Sequence, residues 1–472
     1  MLRPSLAFAP ASGPSATRTF LSLSLAFYVL AIGLGLLLRV SFLQPLPWLH
    51  FGHALHAHSH TLYFGWAGLG LLTLAFEQVG ASGRGVTRVL TALAVTSGLT
   101  FVAFLYGGYA APGMAVSTLA LVVWAVAVGV WWRAARGASG LEVRFLRAGM
   151  AYVVLALAGA ITRVVLLATG WGTPFHARLS VFVFLHAFAV FFLFTTLAVL
   201  IAHARARGAR VDERELGASL WLLALTVWLG APLGVAGGEE GVLGALARAA
   251  ALVGAVAGAV WVRSLWRLAR DLSGTTATAY RCLAVWYALK VGMEVAGGLG
   301  LATWAARARQ PTLLYLHVLL VGFVSLGLLI PLLTRLGRPL ARGLMLHNVG
   351  LLLMAGGLAL LGAGAGGIAW AAAWLPRGYT LAAVGAAPLV LAGVLWLWPA
   401  TKPRRETAGS RVRPHSSASA GKVSVPVAAS VGGREGGGAL LMKGHVLFDG
   451  RNIFDPVRVK EEGFTSYGIG RS

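Results

Sequence analysis

Histidines able to bind a metal ion or a haem iron are concentrated in one short stretch of the sequence. Five of the twelve histidines lie within HFGHALHAHSH, from His50 to His60, and an apolar run of membrane length follows directly. Neutral imidazole is the commonest metal ligand in proteins and a frequent axial ligand of haem. Because ionisable groups are expensive to keep at a membrane span, this concentration predicts a functional site.

The elements that must position these histidines are predicted to be transmembrane helices. The 472-residue chain is 58% hydrophobic and only 11% charged, whereas about a quarter of the residues in a soluble domain are charged. We therefore expect an all-α integral membrane protein with about twelve transmembrane helices. The predicted spans are 19–43, 58–79, 86–107, 113–134, 145–169, 177–202, 217–236, 241–266, 278–304, 311–334, 343–364 and 379–399.

The arginines are distributed as a membrane orientation requires. The formal net charge is +24, yet the basic residues cluster in every second loop between the apolar runs. Cytoplasmic loops carry such an excess, so the pattern predicts a lipid bilayer as partner and no nucleic acid. It places both ends of the membrane domain in the cytoplasm and the His50–His60 stretch on the outer side of a bacterial-type inner (cytoplasmic) membrane.

Composition also predicts the division of the chain. Residues 1–18 are interpreted as a cytoplasmic leader and residues 19–400 as the membrane domain. Residues 401–438, rich in serine, glycine, alanine and arginine, are typical of a disordered linker. Residues 439–472 form a short C-terminal fragment.

Three histidines are predicted to lie at one depth in the bilayer. His58 and His60 stand at the outer end of the second span, and His317 lies at a comparable level in the tenth, counting about 1.5 Å of rise per residue. One imidazole from each of two helices at one depth fits a haem with two axial histidines. Helical phase does not choose between His58 and His60. Arg163, at a similar depth in the fifth span, is predicted to pair with the haem propionates.

The other histidines have competing interpretations. His53, His56 and His60 fall on one face of a helix, while His58 points elsewhere. The i, i+4 pair His56–His60 suits a lone metal ion, but solvated interfacial histidines would show the same spacing. His186, in the middle of the sixth span, is either a metal ligand or a hydrogen-bonded core histidine.

Two further charges lie within the ninth span. Lys290 and Glu294 are spaced i, i+4, which predicts an ion pair between them. The alternative is a proton or anion path towards the level of the haem.

Two segments resemble a known superfamily. LHAHSHTLYFGW (residues 55–66) and LHVLLVGFVSLGL (residues 316–328), within about twelve spans, resemble the haem–copper oxidase subunit I superfamily. The resemblance is closest to its small bacterial NnrS-like haem proteins and covers residues 18–400. It implies an oxidase-subunit-I-like bundle with His60 or His58 and His317 as axial ligands of a b-type haem, and His186 as a copper ligand.

The sequence departs from the oxidase pattern at the copper site. The seventh span, SLWLLALTVWLGAPLGVAG, has no histidine, and the tenth has only His317. A complete copper site is therefore not expected, and oxidoreductase activity is left open. The predicted function is electron transfer, or binding of nitric oxide or oxygen, together with an electron donor or a second membrane subunit. The alternative is a transporter or metal permease whose histidine cluster faces outward.

The C-terminal fragment resembles another family. VLFDGRNIFDPVRVKEEGFTSYGIGR is similar to the extreme C-terminus of UDP-glucose/GDP-mannose dehydrogenases, which implies that Arg451 corresponds to a residue contacting the nucleotide-sugar. Dehydrogenase catalysis is not expected, because no dinucleotide-binding fingerprint precedes the fragment and the single cysteine, Cys282, lies in a predicted span. We interpret the segment as a fused gene fragment.

Overall fold

The structure, a computed structural model, describes residues 15–171, 173–229, 241–301, 309–365, 368–398, 446–449 and 465–468. The chain divides into two compact units, residues 1–401 and 402–472, and each is treated by itself. The predicted linker and most of the predicted leader lie outside the described residues.

In its described residues the first unit consists of helices joined by short turns. Helices α1 to α7 comprise Ser15–Val40, Phe51–His60, Leu69–Gln78, Arg84–Gly107, Ala111–Ala134, Leu141–Thr169 and Pro174–Ala206. Helices α8 to α15 comprise Glu213–Leu229, Val242–Asp271, Gly274–Ala296, Arg309–His317, Leu326–Leu336, Ala341–Ala365, Ala369–Ala372 and Leu375–Leu397. Three π-helical segments continue α2, α10 and α11, namely π1 (Thr61–Gly68), π2 (Gly297–Leu301) and π3 (Val318–Ser325).

The apolar helices confirm the prediction of an all-α membrane protein. In the described part of the chain, ten helices are long and apolar enough to cross a bilayer. Their burial shows which of them are central. In the most apolar stretch of α7, 83% of the residues are buried within the protein. The corresponding share is 67% for the rod formed by α11, π3 and α12, and 28% for α5. Helix α7 and the α11–π3–α12 rod therefore form the centre of the bundle, and α5 lies at its edge.

The segments π1 and π3 begin directly after His60 and His317, and side chains stabilise their wider turns. A π-helical turn alters which backbone carbonyls are bonded within the helix. The hydroxyl of Ser24 on α1 donates to the carbonyl of Trp66 at 2.8 Å, and that of Ser325 donates to the carbonyl of Leu320 at 2.8 Å. These bonds satisfy carbonyls that are buried away from water.

Small residues allow helices to approach closely elsewhere in the bundle. A Cβ atom added at Gly357 on α13 would lie 2.6 Å from the backbone nitrogen of Ala382 on α15. Such glycine contacts are typical of helix pairs in membranes, where close van der Waals packing drives association.

Ion pairs join the helix ends that carry most of the arginines. Arg335 at the end of α12 pairs with Glu77 of α3 at 2.7 Å, and Arg205 of α7 pairs with Glu142 of α6 at 2.8 Å and with Glu213 of α8 at 2.6 Å. These helix ends therefore lie on the same side of the bundle, which we call the arginine-rich end.

The described part of the second unit consists of two short strands. Strand β1 (Val446–Asp449) pairs in parallel with β2 (Thr465–Gly468), so that Val446 stands opposite Thr465. Arg451 lies outside the described residues, and its predicted role stays a prediction.

Candidate functional site

His58 is held between helices α1 and α2. Its Nδ1 atom lies 2.8 Å from the carbonyl oxygen of Ala31 on α1. Because a carbonyl only accepts hydrogen bonds, Nδ1 carries the proton, and in the neutral ring Nε2 keeps its lone pair. The ring also packs on Gly35, where an added Cβ atom would lie 2.8 Å from Cε1 of His58.

His317 has the same hydrogen-bonding arrangement on α11. Its Nδ1 atom lies 2.7 Å from the carbonyl oxygen of Leu313, one turn earlier in the same helix. The proton is again on Nδ1 and the Nε2 lone pair is available. A histidine that binds a metal through one ring nitrogen usually donates the N–H of the other to a backbone carbonyl or a carboxylate. That bond fixes both the tautomer and the orientation of the ring.

The two imidazoles and one arginine form a cluster. His317 interacts electrostatically with both His58 and Arg39, and His58 also interacts with Arg39, which occupies the last turn of α1. Among the described residues, the guanidinium of Arg39 has no hydrogen-bond or ion-pair partner. The structure therefore places two imidazoles from separate helices and an unpaired guanidinium within electrostatic range of one another.

A buried hydroxyl and apolar side chains lie close to His58 along α1 and α2. The Oγ1 atom of Thr61, one turn after His58, is buried and has no hydrogen-bond partner within the described ranges. The buried apolar side chains near His58 belong to two separate clusters. Ile32 is part of the main cluster, whereas Leu34 and Ala57 are part of a smaller one. A pair of axial imidazoles, an apolar surround and a free guanidinium are the groups that a haem with propionates needs.

His60 and His56 lie on the opposite face of α2 from His58. The Nε2 atom of His60 lies 3.4 Å from the Tyr109 hydroxyl, and its ring meets that of Phe104 edge-on with centroids 4.3 Å apart. The ring of His56 contacts Tyr109 with a centroid distance of 4.4 Å. These contacts direct both histidines to the turn between α4 and α5, whereas the contacts of His58 are with α1.

The outermost histidines continue the same face. An added Cβ atom at Gly108 would lie 2.7 Å from Cδ2 of His53, and the tilted rings of His50 and His53 have centroids 3.8 Å apart. The predicted common face of His53, His56 and His60 is thus confirmed. No group of three or more histidine, cysteine, aspartate or glutamate side chains placed to hold a metal ion occurs among the described residues.

His186 belongs to a different cluster, between α7, α8 and α10. Its Nε2 atom lies 3.3 Å from the carbonyl oxygen of Val227, and it interacts electrostatically with Lys290 and Glu294. The bond to the Val227 carbonyl engages Nε2, and the neighbouring ammonium and carboxylate groups balance each other's charge. This arrangement suits a hydrogen-bonded core histidine, and copper binding at His186 stays a prediction.

The predicted ion pair of α10 is formed and extends to the helix of His317. Nζ of Lys290 lies 2.7 Å from Oε1 of Glu294, and the Tyr315 hydroxyl donates to the same oxygen at 2.8 Å. The side chain of Lys290 is only 5% exposed. The pair therefore neutralises two charges within the bundle and connects α10 to α11, two residues before His317.

Arg163 lies on α6, which packs mainly against α7, and its side chain is partly exposed. Within the described part of the chain its guanidinium forms no ion pair, and its role at the propionates stays a prediction. Arg39, which the sequence analysis did not identify, lies within electrostatic range of His58 and His317. The same count of depth from the outer face, applied to the first span, would have identified it.

No protein-family model matches the chain, and no curated protein matches it.

Proposed function

We propose that this protein is a multi-pass membrane haem protein that transfers electrons, with His58 and His317 as the two axial ligands of one b-type haem. The observation that carries the proposal is the paired hydrogen bonding of the two imidazoles. Each donates Nδ1–H to a backbone carbonyl, so each offers Nε2 as a ligand, and the two rings lie within electrostatic range of each other.

Arg39 is the proposed partner of a haem propionate. A buried or half-buried guanidinium without a counterion is unfavourable, and a carboxylate would satisfy it with charge-assisted hydrogen bonds. Thr61 supplies a further buried hydroxyl at the same level. When bound, the haem would supply one-electron oxidation and reduction, while the protein fixes the ligands and excludes water.

Two protein ligands favour electron transfer over gas binding. Nitric oxide or oxygen needs a free coordination position, so one imidazole would first have to withdraw. Both imidazoles are held by carbonyl hydrogen bonds of 2.8 Å or less, which opposes withdrawal. Gas binding is therefore the second candidate, and a carbon monoxide difference spectrum separates it from the first.

The proposed topology has twelve spans in an oxidase-subunit-I-like bundle. The rod of α2, π1 and α3 and the helix α8 would cross the membrane in addition to the ten long helices. With the arginine-rich end in the cytoplasm, both ends of the membrane domain are cytoplasmic and His58 lies towards the outer surface of a bacterial inner membrane. An electron donor or second membrane subunit would then dock near that surface.

The test is an optical spectrum of the detergent-purified protein, oxidised and dithionite-reduced. The wild type is expected to show a Soret band and sharp reduced α and β bands. His58→Ala and His317→Ala should each lose them, with recovery on addition of imidazole. The matched variant His60→Ala should retain the wild-type spectrum, because His60 faces Tyr109 on the other side of α2.

Three outcomes would contradict the proposal in different ways. Loss of haem in His60→Ala but not in His58→Ala would show that His60, on the other face of α2, is the ligand. A strong carbon monoxide shift in the wild type would favour gas binding. A folded protein that contains no haem although it was produced with haem in excess would favour the metal permease.

A further inference from the structure

An open groove lies between α9 and α10 and reaches towards the arginine-rich end of the bundle. Its volume is about 710 Å³, and its walls are predominantly apolar. The lining residues that matter here are Ala259, Arg263, Trp266, Arg267 and Arg270 from α9 and Gly292 from α10.

The charge at this groove is unbalanced. Arg263 and Arg267 both pair with Glu215 of α8, at 2.6 and 3.1 Å. Arg270 has no hydrogen-bond or ion-pair partner among the described residues. One carboxylate therefore faces three guanidinium groups, and the mouth of the groove is suited to an anion.

The groove is long enough to hold part of a lipid acyl chain. Ala259 and Arg270 are eleven positions apart along α9, a rise of about 16 Å at 1.5 Å per residue. Trp266, whose side chain is 43% exposed, stands near the arginines, as expected for an aromatic residue at the interface.

Gly292 keeps the groove open. A Cβ atom added there would meet nothing within 4 Å, so this glycine is not needed for close helix contact. At Gly258 on α9, by contrast, an added Cβ atom would overlap the side chain of Val291. The space beside Gly292 is accessible to a hydrocarbon chain from the lipid.

We propose that this groove binds one phospholipid with an anionic headgroup. An acyl chain lies between α9 and α10 beside Gly292, and the headgroup phosphate is held by Arg270 together with Arg267. Charge-assisted bonds from guanidinium to phosphate supply the headgroup preference. The site does not involve His58 or His317 and does not depend on haem binding.

The test is native mass spectrometry of the full-length protein in detergent, titrated with phosphatidylglycerol or with phosphatidylcholine of the same acyl chains. The wild type is expected to retain one phosphatidylglycerol and to bind phosphatidylcholine about tenfold more weakly. Arg270→Gln should weaken phosphatidylglycerol binding about tenfold, as expected for loss of one charge-assisted contact. Gly292→Leu should weaken both lipids by filling the groove.

Matched variants control for charge and for bulk. Arg136→Gln removes an exposed arginine away from the groove, and Gly129→Leu places the same side chain on a glycine of α5 that also faces open space. Both should bind phosphatidylglycerol like the wild type. Equal binding of the two lipids, or unchanged binding by both groove variants, would overturn the proposal. Competition by millimolar inorganic phosphate would do so too, because it would indicate a site for soluble anions.

Discussion

The indole N–H of Trp66 donates a hydrogen bond of 2.8 Å to the hydroxyl of Ser325. This bond joins π1 to π3, the two segments that directly follow the histidine-bearing helices α2 and α11. Ser325 in turn donates to the carbonyl of Leu320, and Ser24 donates to the carbonyl of Trp66. The two rods that carry His58 and His317 are thus fixed to each other by a buried polar network.

Ser325→Ala should destabilise the protein. The substitution leaves the buried Trp66 N–H without its acceptor, and such a loss costs about 1–3 kcal/mol. A lower thermal unfolding midpoint in detergent is the expected result. Ser117→Ala is the control, since the Ser117 hydroxyl is exposed and bonds only within its own helix. Equal midpoints for the two variants would show that the Trp66–Ser325 bond contributes little.

Gly35→Ala should lower haem content without unfolding the protein. The new methyl group would lie 2.8 Å from Cε1 of His58 and displace the ring from its bond to Ala31. Gly33→Ala, two residues earlier on α1, meets nothing within 4 Å. It should retain haem and gain up to about 1 kcal/mol from helix propensity. The ratio of Soret to protein absorbance measures the difference, and equal ratios would argue against His58 as a ligand.

Arg39→Gln should lower the reduction potential of the haem. A nearby positive charge favours the reduced form, so its removal should shift the midpoint downward by about 60 mV, a tenfold change in a one-electron equilibrium. Arg163→Gln is the matched comparison, because sequence depth alone predicted Arg163 for the same role. Potentiometric titration distinguishes the two, and a shift only in Arg163→Gln would reassign the propionate partner.

The buried ion pair of α10 should respond asymmetrically to mutation. Glu294→Gln leaves the ammonium of Lys290 buried without its counterion, which costs about 3 kcal/mol or more. Lys290→Met should cost less, because the carboxylate of Glu294 is more exposed and keeps its bond from Tyr315. The double variant should recover most of the loss. Thermal midpoints of the three variants check this order, and additive losses in the double variant would show that the two charges do not interact.

Deletion of residues 403–472 should leave the haem spectrum and reduction potential unchanged. The proposed ligands and Arg39 all lie within residues 1–401, the first compact unit. The shortened protein is compared with the full chain by spectroscopy and potentiometry. Loss of the α and β bands on truncation would indicate that the C-terminal fragment takes part in haem binding.

Composition and periodicity were sufficient to predict the class of fold. Long apolar runs must form helices, because a backbone in hydrocarbon has to satisfy its hydrogen bonds within each segment. Local spacing also sufficed for contacts within a single helix. The i, i+4 pair Lys290–Glu294 is formed, and His58 points away from the face shared by His56 and His60, since helical geometry alone decides both.

Only the tertiary structure decided which groups meet from different helices. Helical phase could not choose between His58 and His60, because that choice depends on where α1 and α11 pack. The structure places the Ala31 carbonyl and Gly35 against His58 and places Tyr109 against His60. The sequence by itself determined the helices and the spacing of their polar residues, whereas helix packing decided which groups from other helices each imidazole meets.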